Sequence, residues 1–354
     1  MNLGVPVHIY KDKTIGYYGG KFLPFHKGHL ECIMKASQHV DILFVVVGYD
    51  DEYDKSLCEN TKFEWVSNRV RERWISKELK DFPNIRVLSQ YEKRSDDYMN
   101  DESVVKSNLE LLEKVGGRIN ICFSSEPEYE EYFNKVQPNS THVILDAERS
   151  GINISATKIR ELGVYESWDY LPKAVQEYYV KRVCICGVES VGKSVLVKKL
   201  ASMYGTNYVN EYGREFYEEI NNCHDIIEYS DLIKIAYGHN YLIEDASKKS
   251  NKVLFVDTDN IYTQFFVAEY YGKLDSTIES IINSNSDEID LYIYIEPTLP
   301  HELDGMRQEK SMEMKYEENR FLKELYKRYG KELKIIDSPN NLDEIKSLID
   351  ELIS

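Results

Sequence analysis

Apolar residues in this chain gather in short runs, separated by longer stretches whose apolar positions recur at helical spacing. The first run, residues 15–18 (IGYY), leads into Gly19-Gly20. A helical pattern follows from about Gly28 to Gln38. Residues 41–48 (DILFVVVG) are then continuously apolar, the mark of a strand buried on both faces. The pattern next predicts a charged helix over 62–80, a strand over 85–88 and a helix over about 104–115. Strands over 118–124 (RINICFS) and 141–145 follow. Strands alternating with helices predict a doubly wound parallel sheet.

The same logic starts again further on. Residues 181–186 (KRVCIC) read as a strand, 187–194 as a glycine-bounded loop and 195–203 as a helix. Two apolar strands are predicted over 253–256 and 291–295, a helix over 311–329, a last strand over 334–336 and a closing helix over 342–353. The pattern predicts α/β architecture with two doubly wound parallel-sheet domains, residues 1–168 and 169–354, joined between about Tyr165 and Lys181. No low-complexity linker and no internal repeat interrupts them.

At about 100–200 residues per domain, a chain of 354 residues accommodates two, each able to bury its own core. The net charge of −17 argues against a nucleic-acid partner, which needs a basic face. It leaves nucleotides open, because a few cationic side chains and helix N-termini suffice to bind phosphate. No apolar run approaches the ~18 residues that span a membrane, and the first residues lack the apolar core of a signal peptide. Six scattered cysteines, without metal-ligand spacing, are expected as free thiols in a reducing cytoplasm.

Two segments of the first half carry chemistry. In GGKFLPFHKGHL, Gly19, Gly20, Phe22, Gly28 and the histidines His26 and His29 lie between a strand and a helix. Glycines let a backbone approach phosphate, and a helix start offers free N–H groups to an anion. The bland alternative is a surface loop with two incidental histidines. In NISATKIR, Ser155 can cap a helix, Thr157 sits in its first turn and Arg160 follows one turn later. Alone, that segment also reads as a capped helix with a solvated arginine. Together the two resemble the nucleotidyltransferase superfamily with H-x-G-H and I-S-x-T-x-I-R motifs. The resemblance implies that His26 and His29 contact the phosphates of ATP and that Ser155, Thr157 and Arg160 hold its β/γ end. Lys21 and Arg149 are further candidate phosphate ligands.

In the second half, Gly187-Val188-Glu189-Ser190-Val191-Gly192-Lys193-Ser194 matches G-x-x-x-x-G-K-[ST] between an apolar strand and a helix that opens toward Val195. This is the context a P-loop requires: backbone N–H groups cradle phosphates, Lys193 reaches the β/γ oxygens and the Ser194 hydroxyl takes Mg2+. Residues 253–259 (VLFVDTD) form a strand ending in acids, with Asp257 expected at Mg2+ and Asp259 an alternative for substrate contact. Glu211, Tyr212 and Arg214 follow an apolar pair and are candidates for the acceptor substrate. Arg307 is a candidate lid residue over the transferring phosphoryl group.

The pairing, with the segments WDYLPKAVQEYYVKRV, GVESVGKS, NEYGREFYE and DTDNIYTQFF, resembles the NadR-type bifunctional family from about Thr14 onward. The resemblance implies a Rossmann-like nucleotidyltransferase followed by a P-loop NTPase-type kinase. The kinase would convert ribosylnicotinamide to nicotinamide mononucleotide (NMN), with Glu211 or Asp257 orienting the hydroxyl. The transferase would join NMN to ATP, giving NAD and pyrophosphate. ATP would be the substrate and Mg2+ the cofactor at both sites, and a homo-oligomer is compatible with this reading. The catalytic strand begins almost at once, so no N-terminal helix-turn-helix and no DNA-binding role are expected. Val195 stands where threonine is common, and residues 90–101 lack the tryptophan expected near a pyridine pocket, leaving Tyr91 or Tyr98 to stack. The alternatives are a transferase–kinase for another nucleoside or phosphate acceptor, and a nucleotide sensor without turnover.

Overall fold

A computed structural model of the chain describes residues 10–93, 102–145, 151–219, 226–284, 289–297 and 312–354. The chain divides into two compact α/β units, Met1–Tyr178 and Tyr179–Ser354.

The first unit holds five strands: β1 (Ile15–Gly20), β2 (Ile42–Tyr49), β3 (Ile85–Tyr91), β4 (Ile121–Ser124) and β5 (Thr141–Ile144). All pair in parallel in the order β3-β2-β1-β4-β5. The apolar run of β2 is buried from Ile42 through Gly48, as a strand with neighbours on both edges and helices on both faces requires. Connecting them are α1 (Lys27–Ser37), α2 (Asp51–Ser56), α3 (Asn68–Glu78), α4 (Glu102–Lys114), α5 (Tyr129–Val136) and α6 (Ala156–Leu162). A 3-10 turn (Trp168–Tyr170) and α7 (Lys173–Tyr179) follow. The strand order reverses at β1, between β2 and β4, and ligands of such sheets bind beyond the carboxyl ends at that point.

Two elements begin three or more residues later than the sequence pattern predicts. The strand expected from 118 begins at Ile121, because Arg118 turns back to donate to the carbonyls of Tyr10, Lys11 and Lys13 at 3.1, 2.6 and 2.9 Å. The helix expected from 62 begins at Asn68. Before it, Phe63 and Val66 are buried in irregular backbone, turned by the Thr61 hydroxyl, which accepts from the Phe63 N–H.

The second unit holds β6 (Lys181–Cys186), β7 (Tyr208–Val209), β8 (Val253–Asp257), β9 (Leu291–Ile295) and β10 (Leu333–Ile336), parallel in the order β10-β9-β6-β8-β7. Its helices are α8 (Lys193–Tyr204), α9 (Tyr212–Glu219), α10 (Tyr229–Ser247), α11 (Asn260–Tyr271), α12 (Ser276–Ser284), α13 (Met312–Arg328) and α14 (Leu342–Leu352). The centre of this core is β6, with Val183, Cys184, Ile185 and Cys186 fully buried. Five cysteines are buried free thiols among the described residues. Among those residues no helix is long and apolar enough to cross a membrane.

Candidate active sites

In the first unit, the loop after β1 is anchored by apolar side chains and carries polar ones at its end. Phe22, Leu23 and Phe25 are buried. They bring the chain round to His26, which caps α1 from an extended conformation. The His29 N–H donates to Nδ1 of His26 at 3.3 Å, and the His26 N–H donates to Nδ1 of His29 at 3.4 Å. This reciprocal pair is a capping box built from imidazoles, and it fixes chemistry as well as geometry. A neutral ring that accepts at Nδ1 carries its proton on Nε2, so each ring presents a donor edge. The rings stack with centroids 3.6 Å apart. A Cβ at Gly28 would stand 3.1 Å from the His26 ring, so any side chain there would push on the imidazole.

Two cationic side chains expected at phosphate are engaged with the protein. Arg160 is buried and donates from Nε to the Leu57 carbonyl (3.1 Å), and from its two terminal nitrogens to the Leu23 carbonyl (2.7 Å) and the Thr157 hydroxyl (3.0 Å). It thereby ties the NISATKIR segment to the histidine loop, so the two motifs do meet. Ser155 caps α6, accepting from the Lys158 N–H. Lys21 reaches Asp54 at 2.5 Å, with its ammonium 4.9 Å from the centre of the Tyr53 ring. Asp54 in turn accepts from Arg71 at 2.7 Å, and Arg71 donates to the Lys21 carbonyl at 2.7 Å. Asp54 and Arg71 are fully buried. Sequence reasoning missed both. The available signal was that Arg71 shares a helix face with Trp74 and Ile75, which are core residues. Gly19 and Gly20 end β1, and Tyr91 at the end of β3 is exposed, edge-on to Tyr49. Arg149 and Tyr98 lie outside the described residues.

The second unit binds with backbone where the first presents side chains. From the end of β6 the loop turns through left-handed residues at Ser190 (φ +60°) and Gly192 (φ +90°), the latter capping α8. Gly187 (φ +140°) passes so close to β9 that a Cβ would stand 2.6 Å from the Ile295 carbonyl oxygen. Val188 and Val191 anchor the loop in the core, and Glu189 and Ser190 are half-buried. Lys193 is folded back: its ammonium donates to the Val188 carbonyl at 2.9 Å and lies 4.9 Å from the centre of the Tyr262 ring. Ser194 lies in the first turn of α8, and the Val195 side chain is exposed.

The strand end VLFVDTD separates its two acids. Asp257 is buried and its Oδ1 has no hydrogen-bond partner among the described residues. Its register opposite Ile185 sets it beside the start of the phosphate loop. Asp259 is instead consumed in structure: it caps α11, accepting from the N–H groups of Ile261 and Tyr262, and also from the Tyr326 hydroxyl at 2.8 Å. Those bonds account for its burial, and Asp259 also lines the pocket that holds Glu211 and Tyr262. Desolvation raises the Glu211 carboxyl above its usual range; nearby Asp257 adds to that and Lys193 opposes it. Glu211, Tyr212, Tyr217, His239, Tyr262 and Phe266 line a pocket here. The Arg214 side chain is exposed, and Arg307 lies outside the described residues. Among the described residues no three His, Cys, Asp or Glu side chains converge on a metal position. The orphaned Asp257 oxygen therefore fits a cation whose remaining ligands come from phosphates and the Ser194 hydroxyl.

These geometries define a nucleotidyltransferase-type unit and a P-loop kinase-type unit on one chain. A family profile described as Cytidylyltransferase-like matches residues 17–162, and one described as AAA domain matches residues 182–344. The chain is 34% identical over 306 residues to the Trifunctional NAD biosynthesis/regulator protein NadR of Salmonella typhimurium, covering 84% of this chain and 72% of that one. The Escherichia coli protein of the same name is 33% identical over the same length. A crystal structure of a NadR protein in complex with NR superposes with a TM-score of 0.72 at 24% identity, covering 93% of this chain and 91% of that one, a likeness of fold. The chain belongs to the NadR family. It is an enzyme of NAD biosynthesis that joins a nucleotidyltransferase to a kinase.

Proposed function

We propose that the second unit phosphorylates ribosylnicotinamide with ATP to give NMN, and that the first joins NMN to a second ATP to give NAD and pyrophosphate. The observation that carries this reading is the pairing of an imidazole-capped loop after β1 with a P-loop flanked by an unpartnered buried aspartate, in a chain of this family.

In the kinase unit the pocket beside Glu211 receives the nucleoside, and its 5′-hydroxyl attacks the γ-phosphorus of ATP as the β,γ-bridging P–O bond breaks and ADP leaves. Glu211 accepts the hydroxyl proton, a role its raised affinity for protons suits. Asp257 and Ser194 would hold Mg2+, which when bound offsets phosphate charge. The P-loop amides and Lys193 stabilise charge on the transferring group, once the ammonium leaves the Val188 carbonyl for phosphate. In the transferase unit the NMN phosphate attacks the α-phosphorus of ATP. The Nε2–H edges of His26 and His29 stabilise charge there while pyrophosphate leaves, with no covalent enzyme intermediate. Lys21 serves the same phosphates from its place on Asp54. The net charge of −17 is compatible with small nucleotides as partners, and the free cysteines suit a reducing, cytoplasmic setting.

The test is to incubate the protein with ribosylnicotinamide, excess ATP and Mg2+ and follow NMN and NAD by chromatography. NMN appearing first and NAD following is expected. If neither forms, and NMN supplied directly gives no NAD, the reading fails.

A further inference from the structure

Between Asp257 and Asp259 the backbone adopts a conformation that a β-branched residue rarely tolerates. Thr258 has φ +64°, in the left-handed region where its Cβ crowds the backbone. Such a residue persists only where its surroundings over-determine it, and it concentrates at functional sites. Two hydrogen bonds hold it. Its N–H donates to the Ile185 carbonyl at 3.1 Å, and its own carbonyl lies 3.1 Å from Nε2 of His239 on α10. His239 is buried at 3% exposure. A carbonyl oxygen only accepts, so Nε2 of His239 carries the proton it donates to Thr258. The turn has a visible effect on the two acids it separates: Asp259 is spent as the cap of α11, while Asp257 keeps an unpartnered oxygen.

We propose that His239 is a positioning residue of the kinase site: by gripping the Thr258 carbonyl it fixes the left-handed turn that keeps the Asp257 carboxylate out of the α11 cap and available to a phosphate-bound cation. The histidine also lines the pocket that holds Glu211 and Tyr262, so the turn it fixes forms part of the acceptor wall. This rests on the reading of the second unit as a kinase. The competing account is a satisfied core histidine whose loss would affect stability alone.

The two accounts separate in the full-length protein. His239→Leu keeps an apolar side chain in the core and removes the donor. The expected result is a fall in kinase kcat of roughly ten- to a hundredfold. With it, calorimetry should show a weaker effect of Mg2+ on ATP binding by the second unit, measured in a His29→Ala background so that the first unit contributes little. Adding Thr258→Gly, which accepts a left-handed backbone without strain, should recover at least about tenfold of the lost kcat. The proposal is overturned if His239→Leu stays within about twofold of the parent in both kcat and the Mg2+ effect, or if glycine at 258 restores nothing. Should the parent protein bind Mg2+ and ATP yet fail to phosphorylate ribosylnicotinamide, the substrate reading falls, and the calorimetric arm still decides the role of His239.

Discussion

The two phosphate loops of this chain reach one end by opposite means. The loop after β1 offers side chains, and its order is built from side chains too: reciprocal imidazole caps, the Arg160 strut and the buried Lys21–Asp54–Arg71 cluster. The loop after β6 offers its own N–H groups, and its order lies in the backbone, in left-handed residues and in a glycine pressed against the Ile295 carbonyl. A loop that presents donors on side chains needs a scaffold of buried partners to hold them. A loop that presents amides needs only the right φ values and a few apolar anchors. The first design exposes its function to charge substitutions far from the ligand, whereas the second concentrates its vulnerability in the loop itself.

Four substitutions press on that contrast. Lys193→Ala removes the cationic side-chain donor of the backbone loop. NMN formation from ribosylnicotinamide should fall by roughly a thousandfold or more, while NAD formation from supplied NMN stays intact. His29→Ala removes a donor and half of the imidazole cap. NAD formation should fall by roughly a hundred- to a thousandfold with NMN formation unchanged, and joint loss of both activities in a folded protein would end the picture of independent loops. Asp54→Ala leaves the Arg71 charge buried and unpaired, and denaturant unfolding should show the first unit weakened by about 3–5 kcal/mol while kinase turnover persists. An unchanged transition would mean that the cluster contributes little to the scaffold.

The smallest effect concerns pH. The folded-state pKa of Glu211 is raised, so protonation favours the folded protein below that value, and the stabilising contribution is lost as pH rises through it. Activity runs the other way, because only the ionised form accepts a proton. Kinase kcat should therefore drop about tenfold per unit of pH below the raised value. The drop should begin at higher pH than an ordinary carboxylate allows, and Glu211→Gln should remove that limb together with most of the rate. A kcat profile flat through the acid range would assign the proton elsewhere.

What the sequence made legible follows the same division. The P-loop and the histidine loop are contiguous motifs, because each must bend one stretch of backbone around one group of phosphates, and the structure folds both as strand, loop and helix. Arg160 was legible as a residue of the site but not as a strut, since its partners Leu23 and Leu57 are backbone carbonyls far off in the sequence. Asp54 and Arg71 stand in charged stretches that look like solvated surface, and only the fold removes them from water. Asp259 read as an alternative for substrate contact, and its role as the cap of α11 was not legible, because the turn that aims it at the Ile261 and Tyr262 N–H groups belongs to the fold. The helices between β7 and β9 were largely hidden, because α11 buries Asn260 through Phe265 without a break and so shows little periodic contrast.

The bond from Arg160 to the Leu23 carbonyl spans 137 residues of chain. On a ribosome adding about 5–20 residues per second, the histidine loop exists for on the order of ten seconds before the arginine that braces it has been made. The first unit thus writes its catalytic loop early and completes it late. During synthesis that stretch must wait as nascent chain, with the Leu23 carbonyl short of its final donor, until α6 supplies Arg160.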